Sequence, residues 1–368
     1  MPSGRARAGS YTIYIPSTYR ESTALPLVVG LHGWTNDGET ALRDSAFDQT
    51  AEEYGLITVW PDGLEYPEAL QGWSFPGCNA SPPVGQLDPF GRRAVCEDPD
   101  RYLCDNSTCP SVSAQEACSD SGNGFAQEKT SQTTCIETPE PQTSCSDEEK
   151  HCNWCGCADD AAFIRAVVED VVGRLCIDRE RIYLTGMSAG GMMTSWLFSK
   201  MPDLFAAFAP VSGPNPRDFW TLPAAGNDNT SILYVHGRQD TYVRHDGLRS
   251  SDGYYYEALW NEVARVSNHF FGRGCFSKTD ALEPVPAEWT AWALPEELRI
   301  PSEAQIACRT ASCERPAGDG REAAFCLVRG EHNWPQGNRD DQDGLWGNRL
   351  IVEFFLRHCS RAGNRCDR

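Results

Sequence analysis

The stretch Arg181-Ile-Tyr-Leu-Thr-Gly-Met-Ser-Ala-Gly-Gly-Met-Met-Thr194 joins an apolar strand to a sharp turn and the beginning of a helix. Within it, Gly186 and Gly190 flank Ser188 in a G-x-S-x-G pattern. Glycines at this spacing allow a tight strand-to-helix turn that holds the serine oxygen out at the edge of a sheet. The pattern predicts that Ser188 is a nucleophile; a glycine-rich structural turn is the alternative.

A serine nucleophile needs a base, and the base needs a carboxylate that orients it. In α/β-hydrolases these residues follow in the order Ser, Asp or Glu, His, each just beyond a strand. A predicted strand over residues 231–235 leads to Asp240, and another over 325–329 leads to His332. The order therefore predicts a catalytic triad of Ser188, Asp240 and His332.

Other carboxylates and histidines compete for these roles. Asp246 and Glu331 are the alternative carboxylates, because both lie near the predicted triad residues in the chain. His32 and His236 each precede a glycine at a strand end, which favours a role in backbone geometry. The remaining histidines are interpreted as structural: His151 in a cysteine-rich segment, His245 and His269 in a later loop and helix, and His358 at the surface of the last helix.

An oxyanion that develops at the substrate carbonyl needs backbone N–H donors. The helix predicted to begin at Ala189 leaves its first N–H groups unpaired, so the N–H of Ala189 is the first expected donor. Leu31-His-Gly-Trp34 follows the apolar run over residues 25–31, and the N–H of Trp34 is the second. A tight turn packed by a tryptophan is the alternative for Trp34.

Strands and helices alternate along most of the chain. Apolar runs predict strands over residues 11–15, 25–31, 55–60, 181–185, 205–211, 231–235 and 325–329. Helical spacing marks residues 39–54, 158–175, 189–200, 254–271 and 345–358. This alternation predicts an α/β-hydrolase fold, a mostly parallel sheet with helices on both faces, in one catalytic domain over residues 1–368.

Two segments interrupt the alternation. Residues 78–157 hold ten of the 17 cysteines and few periodic apolar residues, so we expect disulfides to stabilise them. They connect a strand to a helix, which places them at the carboxyl edge of the sheet as a rim or lid beside the site. Residues 278–320 form a second, irregular excursion.

A metal site is the alternative interpretation of the cysteines. Cys152 and Cys155 form a C-x-x-C beside His151, which resembles half of a zinc site. Cys104 and Cys109 are candidates for the other half, but their spacing is not typical of one. Disulfides are favoured, and neither a metal nor a cofactor is expected.

The net charge of -20 repels phosphate backbones and anionic lipid, so neither nucleic acid nor membrane is an expected partner. Seventeen cysteines, with glycosylation sequons at Asn79, Asn106 and Asn229, favour a secreted, extracellular glycoprotein. No apolar stretch precedes the first strand, so the chain is interpreted as a mature form.

The order of the motifs resembles that of one family. These motifs are Pro26–Gly33, Pro61-Asp-Gly63, Gly186–Thr194, His236-Gly-Arg-Gln-Asp240 and His332-Asn-Trp-Pro335. Together they resemble the polyhydroxybutyrate depolymerase and feruloyl esterase group of α/β-hydrolases, over roughly residues 10–75, 158–275 and 322–358. The resemblance implies a secreted esterase acting on polymer-linked esters, and it supports Ser188, Asp240 and His332 as the triad.

The expected activity is that of a feruloyl or acetylxylan esterase, working through an acyl-enzyme. A polyester depolymerase of the polyhydroxybutyrate type is the alternative. A disulfide-rich binding protein on a hydrolase scaffold without activity represents another class, while peptidase and thioesterase activities use the same triad. Trp73 and Trp334 are the candidates for lining the substrate cleft, and a core position is the alternative for Trp73.

Overall fold

The computed structural model describes residues 9–66, 70–73, 160–215, 230–248, 250–251, 256–271, 290–291, 306–310, 321–335 and 342–360. The strands in these ranges are β1 (Tyr11–Tyr14), β2 (Leu25–Leu31), β3 (Ile57–Pro61), β4 (Leu64–Tyr66), β5 (Leu70–Gly72), β6 (Ile177–Met187), β7 (Ala207–Val211), β8 (Ser231–Gly237), β9 (Thr290–Ala291), β10 (Ala307–Thr310) and β11 (Ala323–Val328). The α-helices are α1 (Gly38–Asp44), α2 (Phe47–Tyr54), α3 (Asp160–Arg174), α4 (Ala189–Lys200), α5 (Leu259–Phe271) and α6 (Trp346–Phe355), with a 3₁₀ turn over Gln342–Leu345 before α6.

Nine of these strands form one sheet in the order β1-β3-β2-β6-β7-β8-β11-β10-β9. The six strands from β3 to β11 in this order run parallel to one another. β1 pairs antiparallel at one edge, and β10 and β9 do so at the other. β4 and β5 pair separately. The carboxyl ends of β6, β8 and β11 therefore meet along one edge of the sheet.

Helices cover both faces of the sheet. In β2, Leu27 and Val29 belong to the hydrophobic cluster that includes residues of α3, α4 and α5. Val28, between them, belongs to a second cluster with residues of α1, α2 and α6. Successive side chains of a strand point to opposite faces, so an uninterrupted apolar run is the sequence of a strand buried on both sides. The predicted α/β-hydrolase fold is confirmed.

One predicted helix is two helices. Residues 39–54 were expected to form a single helix, but α1 ends at Asp44 and α2 begins at Phe47. Between them Ala46 adopts a left-handed conformation, with φ of 53°. Ala46 and Phe47 are fully buried, so the break turns Phe47 into the core at the cost of a strained residue.

Two later predictions also change. The helix expected from residue 254 begins at Leu259, because Glu257 donates its N–H to the Asn215 carbonyl and Leu259 donates to His245. These contacts take the backbone donors away from a helical pattern. The closing helix ends at Phe355, and His358 is buried, not exposed, with its carbonyl accepting from the Tyr183 hydroxyl at 2.8 Å.

The excursion at 278–320 is not wholly irregular. β9 and β10 lie within it and extend the sheet beyond β11. A disulfide joins Cys308 of β10 to Cys326 of β11, which are paired residues in the ladder. Residues 78–157 lie outside the described residues, so the rim or lid stays a prediction. Among the described helices, none is long and apolar enough to cross a membrane.

A buried carboxyl group ties α5 to the loop after β7. Glu262 is fully buried, and its Oε1 accepts the N–H of Asn215 at 2.6 Å. Burial is the main reason that the pKa of Glu262 is raised to about 8. The charge of Glu257 acts in the same direction, while hydrogen bonds from Tyr234 and Asn215 and the charge of Arg265 oppose the rise. Glu262 thus prefers to keep its proton in the folded state.

This pKa predicts a pH-dependent stability. A carboxyl whose pKa is higher in the folded than in the unfolded state stabilises the fold at low pH, and that stabilisation is lost as the pH rises from about 4.5 through about 8. Glu262→Gln removes the ionisation. We expect the thermal midpoint of the wild type to fall more between pH 5 and pH 9 than that of the variant, by at least about 3 °C.

The control is Glu39→Gln, which changes an exposed glutamate at the beginning of α1. Its midpoint should follow the wild-type pH profile. Parallel profiles for the wild type and Glu262→Gln would show that Glu262 does not contribute to the pH dependence.

Candidate active site

Ser188 lies at the junction of β6 and α4, in a strained conformation. Its φ of 55° and ψ of -121° fall outside the regions that residues with a side chain usually occupy. Such strain costs about 1–3 kcal/mol and persists only where the surroundings enforce it. Here the N–H of Ser188 donates to the Val211 carbonyl at 2.9 Å, and its carbonyl accepts from Met192 at 2.8 Å. The predicted strand–turn–helix context of the serine is confirmed.

The glycines around Ser188 are required by close backbone packing. A Cβ on Gly186 would lie 2.5 Å from the Gly190 carbonyl oxygen. One on Gly190 would lie 2.3 Å from the carbonyl oxygen of Leu31, and one on Gly191 would lie 2.5 Å from that of Val211. All these distances are below van der Waals contact. The sharp turn therefore depends on glycine at three positions of the motif.

The structure brings the three predicted triad residues together. His332 Nε2 lies 2.9 Å from Ser188 Oγ, and His332 Nδ1 lies 2.7 Å from Asp240 Oδ2. A carboxylate can only accept, so Nδ1 carries the proton and Nε2 is left to accept one from the serine hydroxyl. This tautomer is the one that a general base requires.

Asp240 is held by four neighbours. Its Oδ1 accepts the N–H groups of Tyr242 and Val243, both at 2.9 Å. Its Oδ2 receives His332 and lies 3.2 Å from His236 Nε2. Burial acts to raise the pKa of Asp240, but hydrogen bonds from His236 and His332 outweigh it and hold the pKa well below its usual range. The carboxylate is therefore charged and fixed in place.

The alternative carboxylates are placed differently. Asp246 pairs with Arg244 and accepts the N–H of Leu248. Glu331 is exposed. His332 contacts Asp240 instead of either, as the order of the motifs predicts.

Two histidines for which the sequence favours a role in backbone geometry also contribute to the site. His32 is buried, with Nε2 accepting the N–H of Gly63 at 2.7 Å and Nδ1 lying 2.7 Å from the Gly33 carbonyl. It thereby fixes the loop that carries Gly33. His236 lies 2.7 Å from the Val243 carbonyl through the same Nε2 that faces Asp240. Its contact with Asp240 was not predicted, because the path from a strand into the following loop has no fixed geometry.

The loop after β2 borders the serine. A Cβ on Gly33 would lie 3.5 Å from the Cβ of Ser188. Trp34, the next residue, has a side chain that is 37% exposed. On the other side, α4 begins at Ala189, whose N–H has no carbonyl one turn back in the helix. Ala189 thus follows Ser188 directly, and Trp34 follows the glycine that borders it. The role of both residues as oxyanion donors remains a prediction.

Neither tryptophan that was predicted to line the cleft is exposed. Trp73 is fully buried, donates its indole N–H to the His32 carbonyl at 2.9 Å and packs on the His32 ring. Trp334 is 9% exposed and packs against Trp60 and Phe47. The structure places both in the core, where each indole N–H finds an acceptor.

Tyr242 was not identified from the sequence. Its side chain is 62% exposed, and its ring centroid lies 5.9 Å from that of His332. The available signal was an aromatic residue two positions after the predicted acid. In the described part of the chain, no group of three or more His, Cys, Asp or Glu side chains is arranged to hold a metal ion.

Comparison with known proteins gives matches to esterases. Feruloyl esterase B of Piromyces equi is 38% identical over 102 residues, covering 25% of this chain and 18% of its own length. Poly(3-hydroxyalkanoate) depolymerase C of Paucimonas lemoignei is 29% identical over 153 residues, covering 36% and 37%. This chain is similar to feruloyl esterases and polyhydroxyalkanoate depolymerases. The resemblance predicted from the motifs is confirmed.

Further matches are to an esterase, to a peptidase family profile and to a solved structure. A Nocardia uniformis protein with a provisional esterase name is 27% identical over 180 residues, covering 48% of this chain and 49% of its own length. The chain thus spans half or less of the esterase relatives described here. Residues 158–221 match the profile of the prolyl oligopeptidase family. An acetyl xylan esterase from Aspergillus awamori aligns over 92% of this chain and 94% of its own, at 15% identity and a TM-score of 0.44.

The packing around the turn predicts opposite effects of two glycine substitutions. Gly190→Ala places a methyl group 2.3 Å from a backbone carbonyl oxygen, so we expect a loss of more than about 2 kcal/mol in unfolding free energy. Gly173→Ala, in α3, meets nothing within 4 Å and should stabilise the fold by about 0.4–1 kcal/mol. Urea unfolding of both variants measures the difference. A Gly190→Ala protein as stable as the wild type would contradict the packing requirement.

Proposed function

We propose that this protein is a serine carboxylic ester hydrolase in which Ser188 is the nucleophile, His332 the general base and acid, and Asp240 the orienting carboxylate. One observation carries the proposal. A continuous hydrogen-bonded chain runs from Ser188 Oγ through His332 to the buried Asp240 carboxylate, at a strained turn between a strand and a helix. The similarity to named esterases supports the same class.

The geometry accounts for each proton of an acyl-enzyme mechanism. As Ser188 Oγ attacks the ester carbonyl carbon, its proton moves to His332 Nε2, and the negative charge that develops on the carbonyl oxygen faces the N–H groups of Ala189 and Trp34. His332 then gives that proton to the alcohol oxygen as the C–O bond breaks. Asp240 stabilises the imidazolium formed in between, because its charge lies 2.7 Å from Nδ1.

Deacylation repeats the sequence with water. His332 accepts a proton from a water molecule, whose oxygen attacks the acyl carbon, and returns it to Ser188 Oγ as the acid leaves. His332 must be neutral at the start of each half-reaction. The hydrogen bond from Nδ1 to Asp240 keeps the accepting nitrogen directed at the serine throughout.

We propose esters of plant polysaccharide, of the feruloyl or acetylxylan kind, as the substrates, and a polyester as the second candidate. Both are supported by the names of relatives, a feruloyl esterase and a poly(3-hydroxyalkanoate) depolymerase. A peptidase is considered only because the prolyl oligopeptidase profile matches residues 158–221, the segment that holds the serine turn. That turn serves peptidases and esterases alike.

We also propose that the protein acts outside the cell. Seventeen cysteines support this location, as does the disulfide between Cys308 and Cys326, since such bonds persist in oxidising compartments. The sequon asparagines Asn79, Asn106 and Asn229 lie outside the described residues. The chain can be expressed in a secreting host, and we expect the secreted, glycosylated form to retain activity.

Substitution of the triad tests the catalytic roles. We expect Ser188→Ala and His332→Ala to lower kcat by about 10⁶, and Asp240→Asn by about 10⁴, because the asparagine favours the wrong imidazole tautomer. Initial rates with a nitrophenyl acetate ester measure the loss. A fluorophosphonate probe should label the wild type and not Ser188→Ala. A Ser188→Ala variant that keeps more than a few per cent of the wild-type rate contradicts the assignment; an unlabelled, inactive wild type would favour the binding-protein alternative.

A substrate panel separates the candidate activities. Methyl ferulate, acetylated xylan, polyhydroxybutyrate film and a proline-containing peptide are compared at equal enzyme concentration. We expect kcat/KM to be highest for one of the first two, because these carry the proposed ester types. Preferential release of hydroxybutyrate from the film would replace the proposal with the polyester alternative, and cleavage of the peptide alone would replace it with a peptidase.

A further inference from the structure

Exposed apolar side chains are concentrated beside the candidate active site. In the described part of the chain, the large apolar side chains that are clearly exposed are Ile15, Trp34 and Tyr242. Ile15 follows β1 next to Tyr14, which pairs with Thr58 near the beginning of β3, and so lies at the amino edge of the parallel strands. Trp34 and Tyr242 lie at the carboxyl edge with Ser188. Exposed aromatic rings at a catalytic edge indicate a surface for a substrate.

Tyr242 combines an anchored backbone with an exposed ring. Its N–H donates to Asp240 Oδ1 at 2.9 Å, and so does the N–H of the following residue, Val243. Val243 is buried, and its carbonyl is contacted by His236. The ring itself is 62% exposed. Two backbone hydrogen bonds thus fix the position of Tyr242, although its side chain buries little surface against the core.

The position of the ring indicates which part of an ester it meets. His332 delivers its proton to the alcohol oxygen, so the alcohol portion must lie next to the His332 ring when the C–O bond breaks. The Tyr242 ring is 5.9 Å from the His332 ring, at an interplanar angle of 34°. In the proposed mechanism the carbonyl oxygen is held by the N–H groups of Ala189 and Trp34, so the space beside the His332 ring is left to the alcohol portion. Tyr242 is therefore on the side of the alcohol.

We propose that Tyr242 is a specificity-determining residue that packs against the alcohol portion of the ester and favours a sugar ring over an acyclic alkyl chain. The inference rests on the proposed ester hydrolysis at Ser188. A pyranose ring presents a flat face of C–H groups with hydroxyls at its rim. A tyrosine matches this shape with an apolar face and a hydroxyl at its edge, and it loses little conformational freedom on binding. An acyclic chain covers less of the ring.

The test uses two esters that share the acetyl group and differ in the alcohol. Methyl acetate and an acetylated methyl xyloside both release acetate, so one assay measures both. We expect Tyr242→Ala to lower kcat/KM for the xyloside about fivefold to tenfold more than for methyl acetate, with the loss in KM, since the contact involves a part of the substrate that does not react. Tyr242→Phe should keep most of the preference, because the ring face remains.

Controls separate specificity from stability. Ile15→Ala removes an exposed apolar side chain at the opposite edge and should leave both kinetic constants and their ratio unchanged. The thermal midpoint of Tyr242→Ala should match that of the wild type to within about 2 °C, since little buried surface is lost. An equal loss on both esters would overturn the inference, because Tyr242 would then act through the position of His332. Kinetic constants that stay unchanged for both esters would overturn it as well.

A third ester distinguishes the two sides of the site. Methyl ferulate carries a large acyl group on a small alcohol, so Tyr242→Ala should affect it no more than methyl acetate. A selective loss on methyl ferulate would place the ring on the acyl side and overturn the assignment. A wild type that hydrolyses none of the three esters would instead refute the proposed function, and this inference with it.

Discussion

The close contact of backbones around Ser188 is the constraint on which the rest of the site depends. β2, β6 and α4 meet where Gly186 and Gly190 leave no room for a side chain. Their contact enforces the strained, positive-φ conformation of Ser188, which lifts the hydroxyl out of the sheet and directs the beginning of α4 toward it. The same contact places Gly33 beside the serine. The proposed nucleophile and the expected oxyanion donors are thus positioned by a single packing arrangement.

A second constraint is electrostatic. The buried Asp240 carboxylate must be compensated, because an isolated charge in the core is costly. Its compensation comes from His332, from the backbone of Tyr242 and Val243, and from His236. The groups that neutralise the acid are therefore the same groups that orient the base and mount the exposed tyrosine. The geometry of the proposed triad and the position of Tyr242 therefore depend on the same carboxylate.

The parallel sheet could be predicted from the sequence, and so could the placement of Ser188, Asp240 and His332 at one edge of it. Strand ends are visible in local sequence, and the order of the three residues along the chain follows from the topology. It did not predict which way an aromatic side chain faces. Trp73 and Trp334 lie near the motifs yet point into the core, whereas Tyr242 lies in a turn with no periodicity and points outward. The break at Ala46 was missed because the apolar spacing of residues 39–54 fits one helix, and only packing against the sheet divides it. β10 is short and lies next to the edge strand β9, where tertiary pairing decides its conformation.

The disulfide between β10 and β11 has a consequence for how the edge of the sheet opens. Cys326 is fully buried and Cys308 nearly so, which leaves no path for a reductant while the two strands stay paired. Its reduction must wait until the ladder opens locally. At saturating concentrations of a small thiol, the rate of reduction of this bond therefore equals the rate at which β10 and β11 separate in solution.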